Sequence, residues 1–413
     1  MVTRTETRTR GMCWRHLPMA AMVATAAVFG GPAVAQEAIR IGSLNDQTGP
    51  FADTSGPGWV DSAKMAIEDF GGTVLGKKIE LLSVDDRNNA DHSLATVRGW
   101  LDNAGVKAIL SGSNSPITLA TVGLAKDRET PIMIAGAGIS SLTGAACTPY
   151  SIQYAWDTYA MPRAAVEETM RKGAKSWFLI TWNTGFGNVI EADVKKFVEK
   201  GGGQFLGSVK HPLNNADFSS YLLQAQASKA EVIAFGNPGA DFVNAMKQAK
   251  EFGLTKGGQK LVSLTESISF FQALGLDATQ GLLLSTPFYW DRDDDSRAWS
   301  KRYMERNRGR APNLLQSGAY SAMTHYLSAV KAAGTTDGKA VAAKMRELPI
   351  NDFQMKNVKV RADGQAMRDY YLFEVKAPAE SKGQYDLYKQ IGTVAANQVW
   401  KAEAESECAL LKK

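Results

Sequence analysis

Residues 39–90 read IRIGSLNDQTGPFADTSGPGWVDSAKMAIEDFGGTVLGKKIELLSVDDRNNA, and this stretch decides the fold. The apolar run Ala38–Leu44 predicts a strand, Lys78–Val84 predicts a second strand, and Pro57–Phe70 between them predicts a helix. The apolar residues of that helix recur on one side, as expected for a helix packed on a sheet. A strand, a helix and a strand in this order predict a parallel sheet covered by helices on both faces.

The same alternation continues along the chain and then restarts, so we predict two similar α/β units in tandem. The further predicted strands are Val106–Leu110, Pro131–Ala135, Lys175–Thr181, Gln204–Lys210, Glu231–Phe235, Lys260–Leu264, Gly281–Ser285, Lys356–Val360 and Tyr370–Val375. The further predicted helices are Asp91–Asn103, a helix starting at Ser115-Pro116 with Ser115 as its N-cap, Val189–Lys200, Phe218–Ala227, Pro238–Phe252, Ser296–Asn307, Leu315–Ala333 and Gly338–Leu348. The part after residue 285 is too long to be a linker and must pack on one of the units.

Residues 1–35 have the pattern of a cleaved export signal. Four arginines precede the apolar run Leu17–Phe29, and Ala33-Val34-Ala35 is a small-x-small cleavage site, so we expect a periplasmic protein cleaved near Ala35. A transmembrane anchor is the weaker alternative, because the run is shorter than the roughly 20 residues that a spanning helix needs. The leader also carries three of the five net positive charges. The remaining chain has no strong basic stripe, which argues against a nucleic-acid partner.

Two cysteines, Cys147 and Cys408, remain after the leader. In an oxidising compartment they are a disulfide candidate, and two separate thiols are the alternative. If the bond forms, it ties the C-terminus to a loop that follows the first half of the first unit.

Motifs for catalysis, metal binding and cofactor binding are sparse. His92, His211 and His325 lack the spacing of a zinc site, and the sequence has no Gly-x-Ser-x-Gly elbow and no phosphate-binding P-loop. The acidic run Asp293-Asp294-Asp295 has the character of a solvated helix start, where acidic side chains meet the positive end of the helix dipole. We therefore expect a protein that is not an enzyme and that holds neither a metal nor a cofactor.

Loops of small and hydroxyl-bearing residues follow the predicted strands at their carboxyl ends, where open α/β sheets bind ligands. In the first unit these loops are Ser111–Ser115 and Ala135–Ser141, whose hydroxyls and backbone N–H groups suit a carboxylate. Helix capping alone is the alternative for Ser115. In the second unit the corresponding loops are 182–187, 237–238 and 265–267, and Glu266 is the one acidic side chain among them.

An aromatic segment, Tyr154–Tyr159, lies between the two units. Aromatic rings at a domain junction supply flat apolar walls for a ligand. We expect this of Tyr159 more than of Trp156, for which ordinary interface packing is an equal alternative.

Residues 39–90 and the block FGNPGADFVNAMKQAKEFGL at 235–254 resemble the branched-chain amino acid binding protein family, the type I periplasmic binding proteins of ABC transporters. The resemblance runs over the chain from residue 36 onward. It implies two Rossmann-like lobes with parallel sheets, joined by a three-strand hinge. Lobe 1 would comprise 36–156 plus 286–352, and lobe 2 would comprise 157–285 plus 353–413.

The resemblance also implies ligand contacts. A ligand carboxylate would meet the first-lobe loops, Phe186 would cover the ligand, and Glu266 would take its amino group. The predicted ligand-binding residues are Ser113, Ser115, Gly138, Ser140, Tyr159, Phe186 and Glu266. Phe186 lacks the hydroxyl that many relatives carry at this position. The WDTYAMP block at 156–162 and the two cysteines are closer to a subgroup linked to aromatic acids and amides.

The expected function is ligand capture by a monomer for an ABC permease in the membrane. The ligand would be an amino acid of the branched-chain type or a related small carboxylate. The alternatives are a binding protein for aromatic acids or amides, and an extracytoplasmic sensor domain of the same fold.

Overall fold

A computed structural model describes residues 37–254 and 258–412, and the predicted leader with its cleavage site lies outside these ranges. The first sheet has the strand order β2-β3-β1-β4-β5-β6. Its strands are β1 (Ile39–Asn45), β2 (Thr73–Val74), β3 (Lys77–Asp85), β4 (Val106–Gly112), β5 (Ile132–Ile134) and β6 (Ser151–Gln153). All neighbours in it are parallel except the short pair β2 and β3.

The second sheet has the strand order β13-β12-β11-β10-β9-β7-β8. Its strands are β7 (Ser176–Trp182), β8 (Gln204–His211), β9 (Val232–Gly236), β10 (Lys260–Ser263), β11 (Leu283–Thr286), β12 (Tyr370–Val375) and β13 (Tyr388–Val394). The helices of both units are α1 (Gly56–Asp69), α2 (Ala90–Asp102), α3 (Ser115–Asp127), α4 (Ala160–Arg171), α5 (Gly185–Lys200), α6 (Ser219–Ala227), α7 (Ala240–Glu251), α8 (Ile268–Leu274), α9 (Leu276–Thr279), α10 (Asp294–Arg306), α11 (Leu314–Ala333), α12 (Gly338–Glu347) and α13 (Ala396–Val399).

Helices cover both faces of each sheet, which explains why the central strands β1, β4, β7 and β9 are mostly apolar and buried. On the first sheet, one face packs against α1 and α11 and the other against α2 and α3. On the second sheet, one face packs against α4 and α5 and the other against α6, α7 and α8. The predicted α/β class with two mostly parallel sheets is confirmed.

Three details of the fold differ from prediction. Strands β12 and β13 form an antiparallel edge of the second sheet, because the chain passes from β11 through α10, α11 and α12 and then enters β12 at the carboxyl edge of β11. The predicted strand Lys356–Val360 forms only isolated bridges, one from Val358 to Ile350 and one from Val360 to Ala366. The N-cap of α3 is Asn114, whose side chain accepts the N–H of Ile117, and Ser115 is the first helical residue.

A buried arginine ties together the segments that connect the two sheets. Arg368 precedes β12, and its guanidinium donates to the carbonyl of Pro287 (2.6 Å), which follows β11, and to that of Tyr154 (3.3 Å), which follows β6. It also donates to the side-chain oxygen of Gln354 at 3.0 Å. Burial lowers the pKa of Arg368 to about 10, so the group stays charged at neutral pH.

The predicted disulfide is present between Cys147 and Cys408, with a Cα–Cα distance of 5.7 Å. Cys147 lies between β5 and β6 of the first sheet, and Cys408 follows β13 of the second sheet. The bond therefore adds a covalent connection between the segments of the two sheets. Within residues 37–254 and 258–412, no helix is both long enough and apolar enough to cross a membrane.

Candidate functional site

The strand orders place a crevice at the carboxyl edge of each sheet. β1 has β3 on one side and β4 on the other, and β7 likewise lies between β8 and β9. Chains that leave neighbouring parallel strands in opposite directions open a crevice between them, and α/β proteins bind ligands there. In the first sheet the crevice lies between β1 and β4, and in the second between β7 and β9.

Part of the serine loop at the first crevice, Ser111–Ser115, is held by hydrogen bonds within the protein. Ser113 is 1% exposed, and its hydroxyl donates to the carbonyl of Leu44 at the end of β1 (3.4 Å). Ser115 is partly exposed at the start of α3. Because Asn114 supplies the cap, the helix does not need the Ser115 hydroxyl for that purpose.

The second loop of the first sheet packs closely on its neighbours, and this is why it contains glycines. A Cβ on Gly136 would overlap the backbone of Gly112, and one on Gly138 would lie 2.5 Å from the ring of Trp156. The indole N–H of Trp156 donates to the carbonyl of Gly136 at 3.2 Å. The backbone N–H of Ser140 donates to the hydroxyl of Thr158 at 3.2 Å. Gly138 and Ser140 are thus held against the aromatic segment.

Three aspartates lie where β1 and β3 end, at the same edge of the first sheet. Carboxylate oxygens of Asp46, Asp85 and Asp86 lie within 4.8 Å of one another, the one acidic group among residues 37–254 and 258–412 with the spacing of a cation site. The oxygens of Asp46 accept the backbone N–H groups of Gly49 (2.6 Å) and Phe51 (2.9 Å). Burial raises the pKa of Asp86, and the charges of the other two aspartates add to this effect. This cluster was not among the residues predicted from the sequence, and its contacts with backbone N–H groups give it a role in shaping the loops.

At the second crevice, Phe186 lies in the first turn of α5, whose N-cap is Thr184. Its ring centroid is 5.6 Å from that of Trp182 at the end of β7. The indole N–H of Trp182 donates to the carboxylate of Asp241 at 2.7 Å, which holds the Trp182 side of this aromatic pair in place.

Glu266 is buried beside an aromatic cluster. It is 9% exposed, and the hydroxyl of Tyr388 donates to its carboxylate at 3.1 Å. Burial raises the pKa of Glu266 to about 7, and the hydrogen bonds from Tyr388 and Thr286 limit the rise. Glu266 therefore already has a donor within the protein.

Tyr159 lies apart from the six other predicted residues. Its ring is 3% exposed and meets Phe197 of α5 edge-on, with a centroid distance of 4.8 Å. Its hydroxyl donates to the carboxylate of Glu405 at 3.3 Å. The structure thus brings Ser113, Ser115, Gly138 and Ser140 to one sheet edge, Phe186 and Glu266 to the other, and packs Tyr159 inside the second unit.

Two further polar residues at the second crevice were not among the predicted ligand-binding residues. Asn237 follows β9 and is fully buried, and Thr265 follows β10 and is 3% exposed. The loops that carry them were located from the sequence. Their side chains could not be selected, because an asparagine or a threonine in a loop gives no signal until its burial and partners are known.

Comparisons with known proteins agree with this architecture. The family model described as periplasmic binding protein matches residues 38–384. A periplasmic binding protein from Burkholderia mallei is 41% identical, with 90% of this chain and 99% of that chain covered and a TM-score of 0.85. A branched chain amino acid ABC transporter periplasmic ligand-binding protein from Burkholderia xenovorans LB400 is 36% identical, with 90% and 100% covered and a TM-score of 0.86.

A third solved structure shows the same fold at lower identity. It is an amino acid ABC transporter substrate-binding protein from Pseudomonas fluorescens Pf-5, 24% identical, with 91% of this chain and 100% of that chain covered and a TM-score of 0.85. Among curated proteins, no sequence matches the chain. Since the family model and two relatives above 30% identity span nearly all of the described residues, the chain belongs to the periplasmic binding protein family.

Proposed function

We propose that this protein is the extracytoplasmic substrate-binding component of an ABC importer, acting as a monomer in the periplasm. The observation that carries the proposal is the pair of crevices, each at the carboxyl edge of a mostly parallel sheet. The 36% identical relative from Burkholderia xenovorans, described as a branched chain amino acid ABC transporter periplasmic ligand-binding protein, supports the assignment.

The two sheets with their helices would act as the closing lobes, with 36–156 plus 286–352 in one and 157–285 plus 353–413 in the other. Helices α10 to α12 support this division, because α10 packs on α1 and α11 packs on strands of the first sheet. The segments joined by Arg368 would then form the hinge. Arg368 belongs to one of the three connecting segments, and its guanidinium bonds the other two, at Tyr154 and Pro287. It would hold the three segments together while the lobes move.

We propose a small polar solute as ligand, an amino acid or a related carboxylate. The partly exposed Ser115 at the N-terminus of α3 would meet the carboxylate, since backbone N–H groups and the helix dipole favour an anion there. Phe186 would supply an apolar wall, and Glu266 would accept a hydrogen bond from the ligand.

The test is ligand capture by the purified protein. Mass spectrometry identifies small molecules that co-purify, and thermal unfolding is then measured with amino acids, aliphatic acids and aromatic acids. A ligand at 100 times its Kd stabilises the folded protein by about 2.7 kcal/mol. Calorimetric titration should give one ligand per chain. No bound solute and no response to any compound would refute the proposal, and so would chemical conversion of the bound ligand.

A further inference from the structure

We infer that Asn237 and Thr265 form a buried subsite for a carboxamide group of the ligand. This inference rests on the proposed function and deepens it, because it names the chemical class of the solute. It concerns the second crevice, on the opposite side from the serine loop.

The first ground is that the polar atoms of these two side chains have no partner in the protein. Asn237 is 0% exposed, and neither its amide nitrogen nor its amide oxygen has a hydrogen-bond partner. The Thr265 hydroxyl is likewise buried without a partner. Buried polar atoms in native proteins are nearly always hydrogen bonded, because leaving them unpaired is unfavourable. Three such atoms on two residues therefore point to a ligand.

The second ground is that the two residues follow neighbouring strands at the crevice. β9 and β10 are parallel with Phe235 opposite Ser263, and the N–H of Leu264 donates to the carbonyl of Phe235 at 2.9 Å. Continued two residues past the paired strands, this register places Asn237 next to Thr265. On the other side of β9, Thr181 of β7 pairs with Gly236. Asn237 therefore lies at the end of the strand that borders the crevice between β7 and β9.

The third ground is that the usual structural task of such residues is not performed here. Asparagine and threonine at the end of a strand commonly cap the next helix. The N-cap of α7 is Gly239 and that of α8 is Ser267, and neither helix start receives a side-chain cap. Pro238, which follows Asn237, has no backbone N–H to bond. Local capping therefore does not account for Asn237 or Thr265.

The carboxamide follows from the pairing of donor and acceptor. The Asn237 side chain presents an N–H donor and a carbonyl acceptor side by side. A carboxylate would satisfy the donor and leave the acceptor unpaired, and an ammonium group would do the reverse. A carboxamide supplies both complements in one plane. The Thr265 hydroxyl, which donates or accepts, can bond either end of it. The neighbouring Glu266 accepts from Tyr388 and keeps further acceptor positions for a donor on the ligand.

The first test needs no ligand. The protein is unfolded in guanidinium to remove any carried solute and refolded, and Tm is measured for Asn237→Leu and Thr265→Val, which keep approximate shape and remove the polar atoms. Because these atoms have no partner, we expect Tm to stay unchanged or to rise by roughly 1–4 °C.

Asn313→Leu is the matched control. Asn313 is also buried, but its side chain accepts the N–H groups of Leu315 and Gln316 and donates to the carbonyl of Thr54. We expect this variant to lower Tm clearly. If Asn237→Leu lowers Tm as much as Asn313→Leu does, Asn237 is a structural residue and the inference is overturned.

The second test compares matched acids and amides: benzoate with benzamide, and leucine with leucinamide. We expect the amide of at least one pair to raise Tm more than its acid, and Asn237→Leu to weaken amide binding roughly 10- to 100-fold. A response to acids alone would overturn the carboxamide assignment and leave the proposed function standing. A response to no solute at all would overturn the proposed function itself.

Discussion

The most informative single change at the site is Glu266→Gln, because it isolates the effect of burying one carboxylate. Burial raises the pKa of Glu266 from its ordinary 4.5 to about 7. The folded protein therefore holds a proton on Glu266 between pH 4.5 and 7, where the unfolded chain has released it. Stability contributed by this group falls as pH rises through that window and is constant above it.

The magnitude follows from the two pKa values. Their difference corresponds to about 3 kcal/mol of lost stability once pH exceeds 7. Glutamine keeps the oxygen that accepts from Tyr388 and carries no charge. We therefore expect Glu266→Gln to match the wild-type free energy of unfolding near pH 4.5, and to exceed it progressively, by up to about 3 kcal/mol, at pH 8.

Guanidinium unfolding at pH 5, 6, 7 and 8, followed by circular dichroism, measures the difference between the two proteins at each pH. Other titrating groups are common to both proteins and cancel. Glu305→Gln, at an exposed position on α10, is the control, and its effect should stay within about 0.5 kcal/mol at every pH. A difference for Glu266→Gln that does not change with pH, or a loss of stability at pH 8, would refute the reasoning.

Three further changes probe the connections around the site. The pair Cys147→Ser and Cys408→Ser opens a loop spanning 261 residues, for which chain entropy predicts a loss of up to about 5 kcal/mol. Guanidinium unfolding with and without reductant measures it, and an unchanged midpoint would contradict the entropic role. Arg368→Met removes the donor to the buried backbone carbonyls of Tyr154 and Pro287, so we expect a loss of about 2–4 kcal/mol, with faster amide exchange in the connecting segments. Gly136→Ala forces a Cβ into the Gly112 backbone, so thermal unfolding should reveal a loss of about 1–3 kcal/mol, and a neutral effect would show that the loop shifts freely.

The sequence predicted the fold well because its signal is local. Continuous apolar runs such as Val106–Leu110 and Lys175–Thr181 became buried parallel strands with ends displaced by one or two residues. The acidic run 293–295 starts α10 as expected, with Asp293 as its N-cap. The predictions that failed depended on distant partners. Lys356–Val360 has a strand-like pattern but forms only isolated bridges. β13 was not predicted, and it is a strand because it pairs with β12.

For the candidate site, the sequence by itself determined which loops reach the carboxyl edges, since each loop follows a recognisable strand. Only the tertiary structure decided what their side chains contact. Tyr388, 122 residues away in the chain, is the donor to Glu266, and Tyr159 joined the core beside Phe197. Asn237 and Thr265 come to the same sheet edge because β9 and β10, which they follow, pair as parallel neighbours. Periodicity follows from neighbouring residues, whereas burial and hydrogen-bond partners depend on strand order and register, which bring together residues far apart in the chain.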